Sequence, residues 1–90
     1  MNETHFKELL NKQLENQVWP IRYMFKFIVP NHDGKVEKLT GLLPTEAEIS
    51  FKHTPNLQYV SVTCVAHMQS AEHIVTITSQ AVEIPGVMAL

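Results

Sequence analysis

Ninety residues, 44% of them hydrophobic and 18% charged, amount to one domain with enough apolar surface to close a core without metals or disulfides. A formal net charge of −2 gives no electrostatic pull toward DNA or an anionic membrane surface. Cys64, the lone cysteine, has no partner for an intramolecular bridge, which excludes a disulfide scaffold.

The opening Met-Asn-Glu-Thr-His is polar where a signal peptide is basic and then apolar. No apolar run approaches the roughly 18 residues that cross a bilayer. The expected compartment is the cytosol, with no membrane partner.

Residues 1–20 read as an amphipathic helix and linker, and 21–90 as the domain proper. From Thr4 to about Asn16, Phe6, Leu9, Leu10 and Leu14 share one helical stripe. Thr4 is the expected N-cap, and Glu3–Lys7 and Glu8–Lys12 stand at the favourable i, i+4 spacing. So short a helix is marginal alone, so its stripe must bury against something. Trp19-Pro20 breaks it, and Trp19 is expected to anchor the joint.

Ile21 to Val29 alternates strictly: Tyr23, Phe25, Phe27 and Val29 on one face, Arg22, Met24, Lys26 and Ile28 on the other. Asn31 or Asp33 then caps a helix to about Leu43, weakened by Gly41 and ended by Pro44. Glu46 to His53 alternates again, with Ala47, Ile49 and Phe51 inward. Thr54-Pro55-Asn56-Leu57 is turn chemistry, so Tyr59 to His67 returns antiparallel, placing Val60, Val62, Cys64 and Ala66 inward.

The next stretch sets two signals against each other. Ile74-Val75-Thr76-Ile77-Thr78 is β-branched and favours a strand, whereas Ala71, Ile74, Ile77 and Ala81 repeat at helical spacing behind a Ser70 cap. The spacing predicts a helix over residues 70–83. Pro85-Gly86 closes it, and Val87 to Leu90 forms a last strand. The fold class is therefore α+β: a ferredoxin-like βαββαβ sandwich, antiparallel sheet order 4-1-3-2 with two helices on one face, plus the extra N-terminal helix.

The strand sequences Phe25-Lys26-Phe27-Ile28-Val29-Pro30 and Tyr59-Val60-Ser61-Val62-Thr63, with the terminal Pro85-Gly86-Val87-Met88-Ala89-Leu90, resemble the YbeD-like family of small bacterial proteins of unassigned function. The likeness covers roughly residues 23–90. It implies a ferredoxin-like fold similar to ACT regulatory domains, and it supplies no active-site residues. Pro55-Asn56-Leu57-Gln58 departs from the expected pattern, standing where a Gly-Asn type of turn is usual.

Chemistry-bearing residues are sparse. Five histidines are present, but topology puts His32 and His53 at one end of the sheet and His67 and His73 at the other, with His5 on the leading helix. Strand spacing alone separates His32 from His53 by roughly 10 Å, whereas zinc needs three or four ligands at about 2 Å. No metal, cofactor or catalytic residue is expected, and Cys64 reads as a small buried hydrophobe. One aromatic on the open face, Tyr59, argues against base stacking and so against single-stranded RNA.

Two function classes follow. The ACT-like resemblance implies a non-catalytic regulatory or ligand-binding module; free amides at the helix N-terminus put its small ligand near Asn31, His32, Asp33 and Gly34, and Asp33, which repels an anion, favours an amine-bearing one. The alternative is a protein-interaction adaptor or homodimer using the open sheet face or the last edge strand, through Met24, Ile28, Val65, Met88 and Leu90. The stripe of the leading helix could cover that face instead.

Overall fold

A computed structural model describes residues 8–10, 12 and 14–90 of the chain. In chain order the elements are β1 (Ile21–Pro30), α1 (Lys35–Thr40), β2 (Glu48–His53), β3 (Tyr59–Met68), α2 (Ala71–Val82) and β4 (Met88–Ala89). The four strands form one sheet in the order β2-β3-β1-β4, each antiparallel to its neighbour. This is the small α+β domain that the alternating runs predict.

Alternation in β1 sorts its side chains. Phe25, Phe27 and Val29 are buried while Arg22, Met24 and Lys26 are exposed. β3 lies against β1 along its full length, from Ile21 opposite Met68 to Pro30 opposite Tyr59, and buries Val60, Val62, Cys64, Ala66 and Met68 on the same side. Each large apolar side chain so placed contributes about 1.5–3 kcal/mol. Leu39 and Leu43, with Ile74, Val75, Ile77 and Ala81 of α2, complete the same core.

α2 resolves the conflict between propensity and spacing. Ser70 accepts the amide hydrogen of His73 at 3.1 Å, capping the helix as expected. Thr78 is buried, and its hydroxyl donates to the Ile74 carbonyl at 2.9 Å. A β-branched polar residue is thus satisfied inside the helix, and core packing of Ile74 and Ile77 outweighs strand propensity.

Three expectations need correction. Neither Asn31 nor Asp33 caps α1: Gly34 does, at φ 68°, without a side-chain bond. Asp33 is itself left-handed at φ 58°, and a capping side chain needs an extended backbone behind it. α1 also stops at Thr40, and the chain reaches Leu43 through the tighter bonds Leu42 N–H to Leu39 and Leu43 N–H to Thr40. Phe51, expected inward, is 51% exposed. Alternation picks the right face, but among the described residues β2 is an outer strand with a neighbour on one side only.

The sequence leaves open what the stripe of the leading helix covers. Glu8, Leu9, Leu10, Lys12 and Leu14 are helical, and Leu10 and Leu14 join the core containing Phe25 and Phe27. Among the described residues of that helix Leu10 and Leu14 are buried with this core, while Leu9 stays exposed. Trp19 packs half-buried against that core, anchoring the joint. The expectations for Glu3, Thr4, His5, Phe6 and Lys7 lie outside the described residues.

Candidate functional site

The end of β1 is tied to the hairpin between β2 and β3. Asn31 donates its amide hydrogen to Gln58 O at 2.9 Å and its side-chain Nδ2 hydrogen to Leu57 O at 3.0 Å. The hairpin braces itself: Asn56 Oδ1 accepts from Thr54 Oγ1 at 2.8 Å and from the Gln58 amide at 3.1 Å. Asp33 and Gly34, successive left-handed residues, then turn the chain into α1. Lys35 N–H donates to His32 O at 3.3 Å, so that amide is already engaged.

Between this turn, α1 and the outer strand lies an open groove of about 600 Å³. Asn31, His32 and Gly34 line it from the turn, and Lys35, Val36 and Glu37 from α1. Phe51 and His53 of β2 and Val60 of β3 form its other side. Register explains the pairing of walls: His53 lies opposite Val60, and Val60 opposite Val29, two residues before Asn31.

Three of the four expected ligand residues meet in this groove. Asp33 turns to its neighbour instead, its Oδ2 2.8 Å from His32 Nδ1, with both side chains well exposed. That hydrogen bond and the charge of His32 hold the Asp33 carboxyl below its usual range, with Lys35 and Lys38 adding to the effect. Asp33 is thus a firm carboxylate at the rim. His53, Lys35, Glu37 and Phe51 were missed; the crossover from β1 to β2 was the available signal, because it obliges the intervening segment to pass over the end of β3.

Scatter of the histidines is only partial, since His32 and His53 share a groove. Among the described residues no three His, Cys, Asp or Glu side chains group to hold a metal ion. Cys64 is fully buried, and loss of hydration pushes its thiol above the usual range. Burial does the same to the Tyr23 phenol, whose ring meets Phe25 edge-on at 4.8 Å.

The residues expected at an interface do share one face. Val65 lies opposite Met24, and Ile28 opposite Met88. Met24 is 56% and Met88 54% exposed, and Leu90 extends the row through its N–H bond to Lys26 O at 2.9 Å. Among the described residues no helix is long and apolar enough to cross a membrane.

Comparison of the chain with family models, characterised proteins and solved structures gives no match.

Proposed function

We propose that this chain is a ferredoxin-like βαββαβ sandwich acting as a non-catalytic, ACT-like module that binds a small amine-bearing ligand. The sheet order and the shared core of α1 and α2 support the sandwich. The observation that carries the function is the groove where Asn31, His32 and Gly34 meet Glu37, Lys35 and Phe51. Glu37 suits an ammonium group and Lys35 a carboxylate, while Val36, Val60 and Phe51 offer apolar contact. A zwitterion such as a free amino acid fits that division. Among the described residues no hydroxyl or thiol side chain lines the groove, which favours binding over acyl transfer. The YbeD-like resemblance of the strand sequences belongs to the same proposal.

An open, solvated groove supports modest affinity, on the order of 0.1–1 mM. A tenfold excess of ligand over its dissociation constant then stabilises the fold by about 1.4 kcal/mol, a rise of roughly 5–10 °C in Tm. Thermal shift against the standard amino acids tests this. The expected result is a rise for one subset that Glu37→Gln abolishes. A rise unchanged in Glu37→Gln, or none with any amino acid, contradicts the reading.

A second reading rests on the exposed Met24, Met88 and Leu90: an adaptor that recognises a partner chain through the open face or β4. Co-purification of one stoichiometric partner that is lost on Met24→Lys supports it.

A further inference from the structure

The outer strand β2 carries a pattern that is complementary to itself. It reads Glu48-Ile49-Ser50-Phe51-Lys52-His53, with Glu48, Ser50 and Lys52 on the open face and Ile49, Phe51 and His53 on the helix side. Phe51 is half exposed there, an aromatic left open among the described residues. As an edge strand, β2 also presents backbone groups on its outer side with no strand beyond them among the described residues.

We propose that β2 pairs antiparallel with β2 of a second copy of this chain, about a two-fold axis through Ser50, to make one continuous sheet. A two-fold axis perpendicular to the sheet keeps like faces together, so it must pass through a residue and not between two. Centred on Ser50, it sets Glu48 against the second copy's Lys52 on the open face, and the reciprocal pair forms by symmetry. On the helix side the same register sets Ile49 against Phe51, twice. Opposite charges and aromatic–β-branched pairs are the cross-strand combinations that stabilise sheets.

The neighbouring registers lose this match. An axis through Glu48 or Lys52 sets like charge on like charge, which is destabilising. An axis through Phe51 leaves Glu48 facing Thr54 and Lys52 facing Ser50. An axis through Ile49 sets Lys52 against Glu46, which lies in the turn before β2, and leaves Glu48 facing Ser50, so the Ser50 register alone pairs both charges of the strand itself. Arg22 of β1 reaches Glu48 across β3, its Nη2 3.6 Å from Glu48 Oε2, so Glu48 has an exposed internal partner that Lys52 of the second copy would share. The proposal is independent of the ligand reading, although Phe51 also lines the groove and would border it in the dimer.

Sedimentation of the full chain and of charge variants tests the pairing, with circular dichroism confirming that each variant is folded. The wild-type chain is expected to dimerise. Glu48→Lys and Lys52→Glu should each sediment as monomers, since each sets two pairs of like charges across the axis. The double variant E48K/K52E should dimerise again, and an equimolar mixture of the two single variants should form a heterodimer. A monomeric wild-type chain, or a dimer indifferent to both single substitutions, overturns the proposal.

Discussion

Gly86 sits against the ring of Pro30, so close that a Cβ on Gly86 would lie 2.7 Å from Pro30 Cγ. Its φ of +85° is also left-handed, which adds roughly 1–2 kcal/mol for any residue with a side chain. The proline ring is rigid and its residue is buried at the end of β1, so it cannot yield. Gly86→Ala is expected to destabilise the fold by about 2 kcal/mol or more. Gly41 is the control. It has ordinary helical angles, and a Cβ there meets nothing nearer than Glu37 O at 3.5 Å. Gly41→Ala should be neutral or stabilise by up to about 1 kcal/mol. Urea titration of the two variants checks both signs.

Leu57 holds φ 61° in the β2–β3 hairpin with its side chain largely exposed. The strain of that conformation falls on a residue with little packing to offset it. Leu57→Gly is expected to raise stability by about 1 kcal/mol at an unchanged denaturant m-value. A loss of similar size would show that the side chain holds the turn.

Phe27 and Phe51 both point toward the helix side, yet Phe27 is 1% exposed and Phe51 51%. Phe27→Ala should cost about 3–5 kcal/mol, enough to threaten folding of so small a domain. Phe51→Ser should change the stability of the monomer by no more than about 0.5 kcal/mol. Denaturation at low protein concentration separates the two, and equal losses would mean that Phe51 belongs to the core.

Cys64 is sealed beneath the helices, so native protein should react with a thiol reagent only as fast as it opens, and unfolded protein at once. Its thiol is raised by burial, so the folded state favours the protonated form. This contribution is fully present below the unfolded thiol's range and is lost as pH rises through it toward the folded value. Tyr23 acts in the same direction. Stability should fall on the alkaline side, and Cys64→Ala should flatten part of that fall.

Strands and helices were legible in the sequence because each is driven by one short-range pattern. The two-residue period of Tyr23, Phe25, Phe27 and Val29 and the helical spacing of Ala71, Ile74, Ile77 and Ala81 report directly on which side is buried. What depends on packing partners was not legible. Periodicity chose a face for Phe51 but could not say that the face is uncovered at an outer strand. It gave the leading helix a stripe but no destination, and Leu10 and Leu14 entered the core beside Phe25. The candidate groove was half legible: the turn at Asn31, His32 and Gly34 is local chemistry, whereas His53 and Phe51 arrive through strand register.

Amide chemical-shift mapping of the full chain during titration with free amino acids tests the ligand-binding groove most directly. One subset of amino acids is expected to shift the amides of Asn31, His32, Gly34, Lys35 and His53 saturably, with the β4 end of the sheet unmoved. Shifts confined to Met24, Ile28 and Met88, or no saturable shift with any amino acid, would contradict it.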